Sequence, residues 1–239
     1  MIRTATPLAS SYRERVPALY DPDYARDYPG LYLSAWPDKH ALNREVIGQL
    51  LDTFGPSPRW LDIACGQAWH FSQFPGRARM TGLDLSAAQL ARACVAVPDA
   101  EFIQGDMAEA RFAPASFDLL TNFWGGYCYL ASREAIAGLW RRTLDWIAPG
   151  GALYIELLLP EDLESFNRSR FAGKTGFSVV SRGSDFIEWS YRDSAGTHIM
   201  TSPPLSEALD IIGPAFRNVD VRHDGRFMTH VVAQDRRNQ

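Results

Sequence analysis

Arg59-Trp60-Leu61-Asp62-Ile63-Ala64-Cys65-Gly66-Gln67-Ala68-Trp69-His70-Phe71 is the stretch on which the fold turns. An apolar run bounded by Pro58 and broken at Gly66 reads as a strand buried inside a parallel sheet, then a sharp turn, then a helix. The informative residue is Asp62. A carboxylate near the carboxyl end of a central strand faces the crevice where open α/β sheets bind their ligands. Beside such a turn an acid suits a cationic group and repels a phosphate.

Outward from that stretch, the chain alternates. Strands are expected at 59–64, 79–84, 100–104, 116–122 and 151–158, and helices at 67–74, 87–96 and 132–147. Ser86 and Ser132 stand where N-caps belong. Alternating βα units predict a parallel sheet covered by helices on both faces, with right-handed crossovers. Upstream, Leu42, Val46, Leu50 and Leu51 have helical spacing within 39–54. Residues 1–38 form an N-terminal segment rich in tyrosine and proline. In it Tyr20, Tyr24 and Tyr28 recur every four residues, with Trp36 beyond them. A short helix would align these rings, either as packing or as a lid whose hydroxyls reach a ligand.

After Pro160 the pattern changes. A helix over 161–170 precedes short antiparallel strands at 176–182, 185–192 and 197–202, with turns at Arg182-Gly183-Ser184 and Asp193-Ser194-Ala195-Gly196. A helix at 205–212 and a hairpin of 217–223 with 226–234 around Asp224-Gly225 close the main sheet. Residues 161–202 therefore read as an antiparallel insertion within one domain spanning 1–239. The expected class is α/β: a three-layer sandwich on a mostly parallel seven-stranded sheet, with that insertion and an N-terminal helical lid.

Composition sets the bounds. A chain of 239 residues, 46% hydrophobic and 22% charged, is ordinary for one globular α/β domain. A net charge of −4 with scattered arginines argues against a nucleic-acid partner. Of 24 basic residues only Lys39 and Lys174 are lysine, which reads as coding bias. Cys65, Cys94 and Cys128 have no metal-ligand spacing and suit free thiols in a reducing cytoplasm. No metal is expected. No run approaches the roughly 20 apolar residues that span a bilayer, so a cytoplasmic protein without membrane partners is expected. A homodimer is compatible with the chain.

Acids recur at the strand ends. Asp84 closes the second strand, 22 residues after Asp62; Asp106 follows the third; Asn122 closes the fourth. A nucleoside ligand explains the set. A carboxylate after the second strand can accept both ribose hydroxyls. A third acid can accept an adenine amine while Leu85 and Met107 sandwich the ring. A lone aspartate at a strand end is usually a cap, but polar groups on four successive strands form a pattern. A nicotinamide enzyme would need Gly-x-Gly-x-x-Gly, and only Gly66 is present.

Leu61-Asp62-Ile63-Ala64-Cys65-Gly66, Gly82-Leu83-Asp84-Leu85-Ser86, Gln104-Gly105-Asp106-Met107 and Leu144-Asp145-Trp146-Ile147-Ala148-Pro149-Gly150-Gly151 together resemble class I S-adenosylmethionine-dependent methyltransferases. The resemblance runs from about Trp60 to Glu156. It implies S-adenosyl-L-methionine as cofactor. Asp62 and the Ala64-Cys65-Gly66 turn would hold its methionine part, Asp84 its ribose, and Asp106 its adenine between Leu85 and Met107. The backbone at Asn122-Phe123 would touch the methionine amine. The turn Gly66-Gln67-Ala68-Trp69 departs from the family by having fewer glycines.

The segment Asn122-Phe123-Trp124-Gly125-Gly126-Tyr127-Cys128-Tyr129-Leu130 lacks the Asn/Asp-Pro-Pro-Tyr pattern of enzymes that methylate DNA bases or protein glutamine. Trp124, Tyr127 and Tyr129, with Tyr20, Tyr24, Tyr28 and Trp36 of the N-terminal segment, are the expected acceptor contacts. The layout resembles small-molecule N- and O-methyltransferases of specialised metabolism. Glu156, His230 and Tyr127 are the candidates for catalysis, with His223 and His198 behind them; His70 is expected to pack. The alternative is a protein of the same fold that binds the cofactor for regulation, or for an electrostatic or pericyclic step without methyl transfer.

Overall fold

The structure is a computed structural model, and it describes residues 11–34, 37–168, 170–176, 178–182, 188–223 and 228–238. It begins with helices α1 (Tyr12–Leu19) and α2 (Pro22–Tyr28), a π-helical turn at Pro29–Leu33, and α3 (Pro37–Asp52). Asp21 caps α2, its Oδ1 accepting from the Tyr24 N–H at 2.8 Å. The expected single helix carrying Tyr20, Tyr24 and Tyr28 is therefore split. Pro22, at the first position of α2, starts that helix anew and leaves Tyr20 in the bend between the two.

Strands β1 (Arg59–Ile63), β2 (Arg79–Asp84), β3 (Glu101–Gln104), β4 (Phe117–Asn122) and β5 (Ile147–Leu157) pair in parallel. Between them lie α4 (Trp69–Ser72), α5 (Ala87–Ala96) and α6 (Arg133–Trp146). Ser86 and Ser132 cap the last two, each side chain accepting at 3.2 Å from a backbone N–H three residues on. Helix α4 is far shorter than the expected 67–74. Residues Gly66 and Ala68 adopt left-handed backbone, so the chain spends its first residues after β1 turning.

Beyond Pro160 the expected helix breaks into a 3₁₀ turn (Pro160–Asp162), α7 (Leu163–Asn167) and α8 (Arg170–Thr175). Then β6 (Ser178–Arg182), β7 (Glu188–Asp193) and β8 (Gly196–Thr201) form a separate antiparallel sheet in the order β6-β7-β8. Helix α9 (Leu205–Ile212) and strands β9 (Phe216–His223) and β10 (Thr229–Arg236) complete the main sheet, whose order is β3-β2-β1-β4-β5-β10-β9. Only β10 is reversed within it, pairing antiparallel with both β5 and β9. The turns expected at Gly183-Ser184 and Asp224-Gly225 lie outside the described residues, as does Trp36.

Alternate side chains of the sheet feed two cores, which is the three-layer arrangement. Trp60, Leu119, Tyr154 and Val232 pack with Val46, Ile47 and Leu50 of α3 and with Phe71. Leu61, Leu120, Leu153 and Val231 pack on the other face with Ile136, Leu139 and Trp140 of α6. Strand β1 is buried on both faces, which is why it reads as an unbroken apolar run. Each large side chain so buried contributes roughly 1.5–3 kcal/mol. Among the described residues, no helix is long and apolar enough to cross a membrane.

Candidate active site

The carboxyl ends of β1, β2 and β4, with the loop after β3, open into one cleft enclosing about 970 Å³, part of it continuous with solvent. Asp62, Ala64, Cys65, Gly66, Asp84, Leu85, Asp106, Met107 and Phe123 all line it. Asn122 stands behind the wall: its Nδ2 donates to the Ile63 carbonyl at 2.6 Å and ties the end of β4 to the end of β1.

The three acids are prepared differently. Asp84 accepts from the Gly66 N–H on one oxygen and the Ser86 N–H on the other, each at 2.8 Å. A carboxylate has about four acceptor sites, and the Leu85 backbone also donates to this one, so acceptor capacity remains for a ligand hydroxyl. Asp62 accepts from Thr121 Oγ1 at 2.6 Å, and among the described residues no cationic side chain pairs with it. Burial, opposed by the Thr121 hydrogen bond and supported by the charges of Asp84 and Glu156, pushes its pKa up to about 8. Asp106 is taken by the N-terminal segment, accepting from the Tyr12 hydroxyl at 2.5 Å and pairing with Arg13 Nε at 2.7 Å.

Backbone strain gathers at the same rim. Ala64, Ala68 and Trp124 hold φ of 54°, 56° and 56°, a region that side-chain-bearing residues rarely enter. The turn that is poor in glycine thus reaches a glycine-like conformation with alanine. Trp124 is fixed from two sides: its N–H donates to Glu156 Oε2 at 2.7 Å, and the Lys39 ammonium sits 4.0 Å from its ring centroid. Gly126 brings the β4 loop against the β1 loop. A methyl group there would stand 2.6 Å from Ala64 Cβ.

The second half of the cleft is aromatic. Tyr20, Tyr28, Trp124 and Tyr129 line it, together with Tyr12, Val16, Leu33, Gln67, Trp69, His70 and Gln89. Tyr24 and Tyr127 do not. Tyr24 donates to Asp193 behind the wall at 2.7 Å, and fully buried Tyr127 accepts from the Leu158 N–H at 3.2 Å.

The candidates for catalysis fall outside the cleft. Glu156 is sealed beneath it, bound by Lys39 Nζ at 2.6 and 2.8 Å and by Asn43 Nδ2 at 2.7 Å. Desolvation would raise its pKa, but the charges of Lys39 and His230 prevail and hold it down to about 2. His230 faces Tyr154 at 2.7 Å, one strand further along. His223 is half exposed against Asp162. His70 does reach the cleft; burial and the Lys39 charge push its pKa well below the ordinary value.

Sequence reasoning named His198 but missed Lys39, Gln67, Tyr12, Arg13 and Asp193 as contributors. Lys39 had one signal, being one of two lysines in an arginine-rich chain. Gln67 spans to the Ala25 carbonyl at 2.5 Å and fastens α2 to the turn after β1. Tyr12 with Arg13, and Asp193 with His198, meet their partners only through folding.

Residues 61–151 match the family model described as a methyltransferase domain. The chain is 27% identical over 139 residues to the dTDP-3-amino-3,4,6-trideoxy-alpha-D-glucopyranose N,N-dimethyltransferase of Streptomyces venezuelae, covering 58% of each protein. It is 29% identical over 173 residues to the trans-aconitate 2-methyltransferase of Paracidovorax citrulli, covering 68% of this chain and 59% of that protein. It thus spans less than two thirds of the length of the curated relatives it matches. Its fold is similar to the Burkholderia thailandensis 1,6-didemethyltoxoflavin-N1-methyltransferase, solved with S-adenosylhomocysteine and 1,6-didemethyltoxoflavin, with a TM-score of 0.59. That similarity comes at 17% identity and covers 98% of this chain and 94% of the other. With acids at the ends of β1 and β2 and after β3 lying inside the matched stretch, the chain is similar over residues 61–151 to a methyltransferase domain.

Proposed function

We propose that this chain transfers a methyl group from S-adenosylmethionine to a nitrogen or oxygen of a small-molecule acceptor in specialised metabolism, within a single domain. The observation that carries this reading is one cleft with two unlike halves: carboxylates at strand ends, then an aromatic chamber.

The residues fit the cofactor. Asp62, buried and lacking a cationic partner among the described residues, would hold the methionine ammonium beside the Ala64-Cys65-Gly66 turn. Asp84 would take the ribose hydroxyls on its remaining acceptor capacity. Asp106 would take the adenine amine between Leu85 and Met107. The Phe123 backbone would flank the methionine part. When bound, the cofactor supplies a methyl group on positively charged sulfur, open to in-line displacement.

The chain's own work is alignment and exclusion of water. The rings of Tyr20, Tyr28, Trp124 and Tyr129 offer apolar faces and hydroxyl tips, and their faces tolerate positive charge. Holding two reactants in line is worth on the order of 7–11 kcal/mol in favourable cases. Among the described residues lining the cleft there is no lysine or arginine. A polycarboxylate such as trans-aconitate, the acceptor named for the Paracidovorax relative, would find no countercharge there. An amine or a neutral hydroxyl suits the chamber better. Segments 1–38 and 161–202 are read as its covers.

The test pairs calorimetry with labelled cofactor. S-adenosylhomocysteine should bind, and Asp84→Ala should weaken it strongly. Label should pass to dTDP-3-amino-3,4,6-trideoxy-alpha-D-glucopyranose, 1,6-didemethyltoxoflavin or tyramine in preference to trans-aconitate. Binding with no transfer to any of these would favour a regulatory or non-methylating role.

A further inference from the structure

The aromatic wall of the cleft backs onto a line of hydrogen bonds that ends on a buried carboxylate. Tyr129 lines the cleft, and its hydroxyl lies 2.7 Å from His198 Nδ1 on β8. His198 is fully buried, its ring stacked at 4.2 Å on Tyr191. Its Nε2 lies 3.0 Å from Asp193 Oδ1 at the end of β7. Asp193 also accepts from the hydroxyls of Tyr24 and Tyr32 at 2.7 and 2.5 Å and from the Ala195 N–H at 2.8 Å.

The donors around Asp193 assign the protons. Desolvation would raise its pKa, but hydrogen bonds from His198, Tyr32 and Tyr24 prevail and hold it below the usual carboxylate value. An ionised carboxylate only accepts, so His198 Nε2 carries hydrogen. The neutral ring then presents the lone pair of Nδ1 to the Tyr129 hydroxyl. The other titratable groups facing this ring are the phenols of Tyr20 and Tyr191, which lie 3.0 and 3.3 Å from the Tyr129 oxygen. Both are pushed well above the ordinary tyrosine value, chiefly by burial, and stay neutral.

We propose that Tyr129 is the catalytic residue that accepts the acceptor's proton, with His198 and Asp193 as its positioning residues. This rests on the methyl-transfer reading above. The acceptor's nitrogen or oxygen bonds to the methyl carbon, whose former bonding pair stays with sulfur. Its own proton passes to the Tyr129 oxygen, on the lone pair that the more distant Tyr191 hydroxyl at 3.3 Å gives up, as the Tyr129 proton passes to His198 Nδ1. Tyr129 ends neutral, and the imidazolium rests against the Asp193 carboxylate until its proton returns to solvent with product release. No free phenolate forms at any point. His70 also lines the cleft, but among the described residues its buried Nε2 has no hydrogen-bond partner.

Two measurements on the full chain with S-adenosylhomocysteine or labelled cofactor test this. Nitrogen-15 NMR of the imidazoles, with the His198 signals assigned by loss in His198→Asn, should find hydrogen on Nε2. Hydrogen on Nδ1 of the neutral ring overturns the proposal, because Tyr129 would then have no basic nitrogen before it. With tyramine as acceptor, Tyr129→Phe should keep S-adenosylhomocysteine affinity and lose about 100-fold or more in transfer rate, the range of general acid–base catalysis. His198→Asn should lose rate and recover part of it as pH rises, which a packing defect would not do. Unchanged transfer in Tyr129→Phe, beside an active wild type, overturns the proposal. A wild type that binds S-adenosylhomocysteine but labels no acceptor overturns the methyl-transfer reading instead, and the tautomer still judges the network.

Discussion

Lys39 and Glu156 form an ion pair sealed inside the fold, the ammonium 2.6 Å from one carboxylate oxygen and both side chains essentially inaccessible. The pair joins α3 to β5, and through the Trp124 N–H it fixes the loop that walls the cleft. Removing one partner strands the other charge. Glu156→Gln should therefore cost about 3–5 kcal/mol, read as a lowered melting temperature. Measured well below that temperature, methyl transfer should persist; a general base would instead lose transfer at unchanged stability. The pH dependence follows from the depressed pKa. The carboxylate's contribution is full above its ordinary value of 4.5 and fades as pH falls through about 2.

Asp62 titrates in the opposite sense. Its pKa of about 8 means that it is protonated at neutral pH without ligand, and a bound ammonium would drive the proton off. Calorimetry of S-adenosylhomocysteine at neutral pH in buffers of different ionisation enthalpy should register release of close to one proton. Asp62→Asn should abolish the release. Because the folded state holds this proton above the unfolded pKa, the ionised group is destabilising as pH rises through 8, and Asp62→Asn should stabilise the ligand-free protein most at high pH.

Tyr12 and Arg13 occupy the acid proposed for adenine. Arg13 is about half exposed, so its pairing adds little to stability. Arg13→Ala should leave the melting temperature nearly unchanged and speed both association and dissociation of S-adenosylhomocysteine several-fold in stopped flow. Unchanged kinetics with a lower melting temperature would mark α1 as packing alone.

Gly126→Ala should push the β1 and β4 loops apart, since the new methyl would meet Ala64 Cβ at 2.6 Å. Overpacking of this kind costs typically 1–3 kcal/mol. Cofactor affinity should fall with stability, because Ala64 lines the cleft.

How much could be read in advance follows the range of each interaction. The strands β1 to β5, the caps at Ser86 and Ser132 and the acids at 62, 84 and 106 were legible, because periodicity, capping and strand-end placement are local properties of the chain. The same logic anticipated the antiparallel insertion and the closing hairpin. It overestimated α4, because the left-handed backbone at Ala68 carries no glycine to announce it. It also joined two helices across Pro22.

What the sequence by itself determined is the acid-lined half of the cleft, whose groups are spaced by the βα repeat. Tertiary structure alone decided the other half. Glu156 and His230, attractive as a base by their strand positions, are withdrawn under the sheet by Lys39 and Tyr154. Tyr129, His198 and Asp193 meet across 69 residues of chain because the insertion folds back over the loop after β4. Hydrogen bonds last only a few ångströms and their partners lie on separate elements, so no periodicity records them. The folded chain brings them together.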